Sequence, residues 1–188
     1  MKKRIITLAI TAALATINLS AYAAGIPRET IPLNATEAQI QITENLISDI
    51  LEEVQSGNLG YTLAAGYANT RIRKAVIANQ TDGNGYGILS PIAQNAIRIM
   101  RDRQLRPDAY AKAEEELKVL LADLITEVQN GKDYMEAVKE AYIMIYKSVN
   151  PSFEYDEQFS LDICYRDTPV VGIEKFTVAR KLLLAAQN

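Results

Sequence analysis

Two twelve-residue segments of this 188-residue chain resemble each other at a constant offset of 74 residues. Residues 46–57 and 120–131 are identical at six of the twelve positions, among them the final glycine. In both segments, apolar residues recur at three- and four-residue spacing before that glycine, which is typical of an amphipathic helix with a C-terminal cap. The match predicts an all-α fold of two duplicated three-helix units, although any two amphipathic helices that end in glycine look partly alike.

The periodicity predicts about six helices, packed together as one bundle-like domain. We expect them at residues 35–56, 59–78, 91–103, 109–130, 134–150 and 172–186. Their expected starts are a capping pair of Asn34 and Glu37, the pair Ser90–Pro91, the pair Pro107–Asp108, and a capping pair of Asp133 and Glu136. Residues 159–165 alternate apolar and polar side chains, which predicts a short β element, although a strained helix would also fit.

The N-terminal residues have the pattern of a secretory signal peptide. Basic residues at positions 2–4 precede an uncharged apolar run at residues 5–19, and small residues follow at Ala21 and Ala23. We therefore expect cleavage between Ala23 and Ala24 and a periplasmic or secreted product of a bacterium. An uncleaved N-terminal anchor is the alternative, and no later stretch is apolar enough to predict an integral membrane segment.

The remaining chain divides into three predicted parts. Residues 24–33 contain two prolines and little periodicity, which predicts an extended leader after the signal peptide of residues 1–23. Residues 34–105 form the predicted first helical unit, and residues 106–188 form the second.

Composition excludes several classes of site. Without residues 1–23 the chain has 17 basic and 23 acidic side chains, a charge that argues against nucleic-acid binding. The chain has no histidine, and Cys164 is its single cysteine. This absence removes histidine-activated nucleophiles, histidine-ligated metals and thiolate zinc or iron–sulfur sites. We predict no catalytic residue, no metal and no cofactor, and an enzyme built here would need carboxylates, tyrosine, lysine or serine.

The repeated segments carry two pairs of acids at i, i+4 spacing, Asp49 with Glu53 and Asp123 with Glu127. Such pairs can bind a divalent metal or act as acid and base. Helical geometry, however, places them opposite the apolar stripe, so we expect a solvated surface instead.

The glycine-rich loop at residues 82–87 resembles the start of an EF-hand calcium loop. Asp82 and Asn84 match the first ligand positions, and Gly87 matches the required glycine. Tyr86 stands at the fifth position, and Ala93 stands where a bidentate glutamate is needed. The sequence therefore favours a flexible helix connection over a calcium site.

Tyrosine is abundant and tryptophan is absent, and tyrosine is enriched in recognition surfaces. We expect most tyrosines at the edge of the core, with partner binding centred on three of them. The candidate binding residues are Tyr61, Tyr86 and Tyr134. A basic group could attract an acidic partner, although such residues are more often solvated: Arg71, Arg73, Lys74, Lys139 and Lys147.

These observations favour a non-enzymatic envelope protein that acts by protein–protein interaction. An adaptor, a chaperone, an inhibitor or immunity-type protein, and a secretion or pilus accessory all fit, with another envelope or secreted protein as partner. One alternative is a cell-wall or glycan hydrolase that uses carboxylates alone, for which two acids must share a cleft. Another is a carrier of a small ligand, which requires a cavity between the helical units.

Overall fold

A computed structural model describes residues 25–154 and 171–187. Within these two ranges the chain forms seven α-helices and no β-strand, so the predicted all-α class is confirmed. The helices are α1 (Glu37–Gln55), α2 (Tyr61–Ile77), α3 (Tyr86–Leu105), α4 (Pro107–Leu120), α5 (Ala122–Gln129), α6 (Tyr134–Val149) and α7 (Ile173–Ala186). The predicted signal peptide with its cleavage point, the β element at 159–165 and Cys164 lie outside the described residues.

Helices α1, α2 and α3 pack on one another around one aliphatic cluster. On α1 the fully buried apolar residues are Ile47, Leu51 and Val54, which recur at three- and four-residue spacing along one face. On α2 most of the buried residues are alanines, such as Ala64 and Ala68. Because these side chains are small, α2 can lie close to both of its neighbours.

Helices α4 to α7 surround a second cluster, in which α7 packs against α4, α5 and α6. Its centre is aromatic: the rings of Tyr142 and Phe176 meet edge to face with centroids 4.6 Å apart. Tyr146 stacks on Phe153 at 5.1 Å. Such ring pairs stabilise a core beyond the apolar area that they bury.

The two matched segments have similar burial and similar ends. Ile47 and Leu121 occupy equivalent positions and are both fully buried. The closing glycines, Gly57 and Gly131, have φ angles of +80° and +98°, a conformation that glycine adopts without a steric penalty. The common origin of the segments and the unit boundary near residue 105 stay predictions, because unrelated amphipathic helices can share this pattern.

Two predicted helix starts are wrong. Helix α1 is capped by Thr36, whose side chain accepts a hydrogen bond from the Gln39 backbone N–H in a capping box, and not by the pair of Asn34 and Glu37. Helix α3 begins at Tyr86, so that Ser90–Pro91 lies inside the helix. The Ser90 hydroxyl donates to Asn69 Oδ1 at 2.8 Å and does not cap. The start that was predicted at Asp133 is confirmed, because this side chain accepts from Glu136 N–H.

The long helix predicted at 109–130 is divided at Leu121 into α4 and α5. The backbone hydrogen bonds from Leu121 to Leu117 and from Ile125 to Leu121 are both kept, at 2.9 and 2.8 Å. The division is therefore a bend and not a loop. The bend allows both α4 and α5 to pack against α7.

The segment predicted as an extended leader contains a short 3₁₀ helix, Arg28–Thr30, and packs at the junction of the two clusters. This 3₁₀ helix contacts both α3 and α7. Ile26 and Ile31 are buried in the first cluster on either side of it. The carboxylate of Glu29 is buried and accepts a hydrogen bond from Arg103 at 3.0 Å. Apolar burial and this ion pair hold the segment in place.

Candidate functional site

The outward side of α2 carries large apolar side chains that are more than half exposed. Leu63 is 58% exposed, Tyr67 is 56% exposed and Ile77 is 77% exposed. With Thr70 and Lys74 they recur at spacings of four and three residues, so they form one stripe along the helix. We call these five residues the α2 outer face.

The α2 outer face is exposed because a different set of α2 residues fills the core. Ala64, Ala65, Ala68, Ile72 and Ala75 are buried against α1 and α3. The stripe points away from that side at 100° per residue. Single exposed apolar side chains are normal on a protein surface, whereas several on one helix face make that face a candidate interaction site.

Helix α2 also has a charge opposite to that of the whole chain. It contains three basic residues and no acid, while the chain carries a net charge of −3. The Arg71 guanidinium pairs with Asp49 of α1 and holds the pKa of that carboxyl below its usual range. Arg73 lies over the Tyr86 ring at 5.2 Å. Lys74 forms no ion pair with any residue that the structure describes, so its charge is available to a partner.

The three tyrosines predicted to bind a partner do not form one cluster. Tyr61 begins α2 and is partly exposed, whereas Tyr86 begins α3 and lies beside Arg73, near the other end of α2. Tyr134 packs against the second cluster, and its hydroxyl accepts from Arg180 Nε at 3.2 Å. Their role in binding stays a prediction.

Sequence reasoning missed Leu63, Tyr67 and Ile77. One signal in the sequence could have identified them. Apolar residues occur on all sides of α2, and they are more numerous than a single buried face requires. The buried set consists mainly of alanines, and the larger apolar residues lie outside it.

The two acid pairs of the repeated segments are solvated, as helical geometry predicts. All four side chains are exposed. Asp49 is held by Arg71, and Glu127 accepts from Lys132 Nζ at 2.7 Å, a contact that helps to raise the pKa of that lysine. One carboxylate of each pair, Asp49 and Glu127, is therefore used in an ion pair on the exposed helix surface.

The loop that resembles a calcium site is closed by its own hydrogen bonds. Thr81 Oγ1 donates to the Asn84 carbonyl at 2.7 Å, and the Asn84 amide nitrogen donates to the Thr81 carbonyl at 3.0 Å. The Asn84 amide oxygen accepts from Gln39 of α1. The side-chain oxygen that would bind calcium in an EF-hand loop thus helps to join this loop to α1.

A cavity of about 530 Å³, the junction cavity, opens between the two helical clusters. Its walls include Met100 and Arg103 of α3, Tyr110 and Glu114 of α4, and Val178 and Lys181 of α7.

The junction cavity contains one carboxylate, that of Glu114. Hydrogen bonds from Lys118 and Lys181 lower the pKa of Glu114 to about 2. This group is therefore ionised at neutral pH and is unsuited to donate a proton. A hydrolase that uses two carboxylates would need a second acid in the same cleft.

Comparison with known proteins gives no match: no family model fits the chain, and neither a curated protein nor a solved structure is similar to it. Among the described residues, no group of three or more acidic or cysteine side chains is arranged to hold a metal ion. No helix in the described ranges has the length and apolar character needed to cross a membrane.

Proposed function

We propose that this chain is an exported protein of the bacterial envelope that acts by binding another protein through the α2 outer face. The N-terminal sequence supports export. The row of exposed apolar side chains at Leu63, Tyr67 and Ile77 is the observation that carries the binding role.

The surroundings of this face favour an acidic partner with apolar anchors. Leu63 and Tyr67 are four residues apart, so together they offer a contact for one or two apolar side chains of the partner. Lys74 and Arg73 add positive charge along the same helix. Complementary charge guides association and selects partners, while buried aromatic and apolar contacts provide most of the affinity.

The test is quantitative affinity capture from envelope extracts of the chain's own host. The bait is the full chain with a C-terminal tag, compared with the double variant Leu63→Ala/Tyr67→Ala. Val119→Ala is the matched control, because Val119 is an apolar residue of α4 that is 80% exposed.

We expect one stoichiometric partner that wild type and Val119→Ala retain and the double variant loses. The partner should present a surface with excess acidic side chains. Equal recovery with all three baits would overturn the proposal. A homodimer that forms through α2 would also overturn it, because two copies of this basic helix would meet without an acidic partner.

A further inference from the structure

We propose that the junction cavity binds a small organic anion with an apolar body, such as a medium-chain carboxylate. This site is separate from the α2 outer face, and the inference does not depend on the proposed protein partner. The volume of the junction cavity, about 530 Å³, lies in the range of small-molecule sites.

The body of the ligand would meet an apolar wall. Met100 comes from the first cluster, while Tyr110, Ala111 and Val178 come from the second half of the chain. The Tyr110 hydroxyl donates to Asp102 at 2.9 Å, and burial together with this contact raises the pKa of Tyr110. Because the hydroxyl is engaged with Asp102 and stays neutral, Tyr110 presents mainly its ring.

The cations of the wall offer hydrogen-bond donors to an anion. Lys181 donates to Glu114 at 2.9 Å, and Arg103 donates to Glu29 at 3.0 Å. Each cation has further N–H groups beyond its one acidic partner, and such charged donors are what an anionic head group requires.

Arg103 is the group best placed to bind that head group. One terminal nitrogen donates to Glu29 at 3.0 Å, and the guanidinium carbon lies 5.3 Å from the centre of the Tyr110 ring. Its other N–H groups donate to no residue in the described ranges. The Arg103 side chain is 31% exposed, so these donors are accessible, and the contacts to Glu29 and Tyr110 fix its position. A guanidinium held in this way suits a carboxylate.

The experiment is a calorimetric titration of the purified full chain with decanoate, kept below its micelle concentration. Decyltrimethylammonium is the charge control, since it has an apolar chain of nearly the same length and a positive head group. Ala111→Trp is the blocking variant, because Ala111 is an exposed helix residue on the cavity wall. Ala122→Trp is the matched control at an exposed alanine of α5 that does not line the cavity.

We expect decanoate to bind at one site with a Kd below about 1 mM, and the cation to bind at least about tenfold more weakly. Ala111→Trp should weaken decanoate binding at least about tenfold, and Ala122→Trp should leave it unchanged. Lys181→Gln should weaken decanoate binding about threefold and leave binding of decanol unchanged. Absence of decanoate binding, equal binding of the cation, or equal effects of the two tryptophan variants would each overturn the inference.

Discussion

Helices α2 and α4 each bury one face in a core and expose another, yet their exposed faces differ in composition. On α4, Glu114 pairs with Lys118 and Lys181, while Glu116 pairs with Lys175 at 3.0 Å. On α2, four large apolar side chains are exposed, three of them on the α2 outer face, and Lys74 has no ion-pair partner among the described residues.

We propose that this difference separates a solvated surface from an interaction surface. The charges of α4 are largely satisfied within the molecule, and Val119 is the one large apolar side chain of this helix that is exposed. The face of α2 keeps both apolar area and positive charge that the rest of the described chain does not use. Burial by a partner would remove that apolar area from water, which is the main favourable term in association.

The largest expected effect concerns the buried faces, on which the two helices should behave alike. Ile72 of α2 and Leu117 of α4 are both fully buried. Ile72→Ala and Leu117→Ala should each lower the free energy of unfolding by about 2–5 kcal/mol, because truncation leaves a cavity in a packed core. Urea denaturation measures this effect. A loss below about 0.5 kcal/mol for Ile72→Ala would mean that α2 packs through another face.

The next effect separates the exposed faces. Leu63→Ala/Tyr67→Ala should weaken binding of the captured partner about 30- to 100-fold, as loss of central apolar contacts does at protein interfaces. Its free energy of unfolding should change by no more than about 0.5 kcal/mol per site, because both side chains are exposed. Val119→Ala on α4 should change neither quantity. Surface plasmon resonance gives the affinities, and a comparable loss with Val119→Ala would erase the distinction between the faces.

The charge of α2 should have a smaller effect, mainly on the rate of association. Arg73→Gln/Lys74→Gln should slow association about three- to tenfold at low ionic strength, with a smaller difference in high salt as screening increases. Lys112→Gln provides the α4 control, since Lys112 pairs with Glu116 at 3.8 Å. Stopped-flow kinetics at two salt concentrations measure the rates. A salt-independent difference would argue against steering by charge.

The smallest effect concerns the ion pairs of α4. The pKa of Glu114 is about 2 in the fold, below its ordinary value of 4.5, because Lys118 and Lys181 donate to it. Its ionised form therefore contributes stability above about pH 4.5, and this contribution is lost as the pH falls towards 2. Solvent screening limits the contribution to about 1 kcal/mol or less.

Denaturant melts between pH 6 and pH 2 compare wild type with Glu114→Gln. The difference in unfolding free energy between the two should shrink as the pH falls through this interval. Glu115→Gln is the control, because Glu115 has no ion pair with a described residue. Parallel pH curves for wild type and Glu114→Gln would show that these ion pairs add nothing to stability.

Local patterns predicted the helices but not all of their limits. The spacing of Ile47, Leu51 and Val54 identifies a buried face, and Gly57 marks the end of α1, because both signals are local. The pair Ser90–Pro91 is typical of a helix start. In the fold it lies inside α3, and the Ser90 hydroxyl donates a hydrogen bond to Asn69 of α2. The bend at Leu121 has no proline or glycine to mark it.

The candidate surface was harder to predict for a related reason. Pattern reasoning assigns apolar residues to the core, whereas α2 uses alanines there and exposes Leu63 and Tyr67. The choice depends on how closely α1 and α3 approach α2, which is a property of the packed bundle. The tyrosines Tyr61, Tyr86 and Tyr134 were selected without that information, and the fold places them apart.

Site-specific photocrosslinking in the living host tests the role of the α2 outer face most directly. A photoreactive phenylalanine analogue replaces Tyr67 in one strain and Val119 in another, with the chain at its natural level. We expect a crosslink from position 67 to one envelope or secreted protein, at an acidic segment, and none from position 119. The same products from both positions, or none from position 67 while the protein is folded, would show that the α2 outer face does not bind the partner.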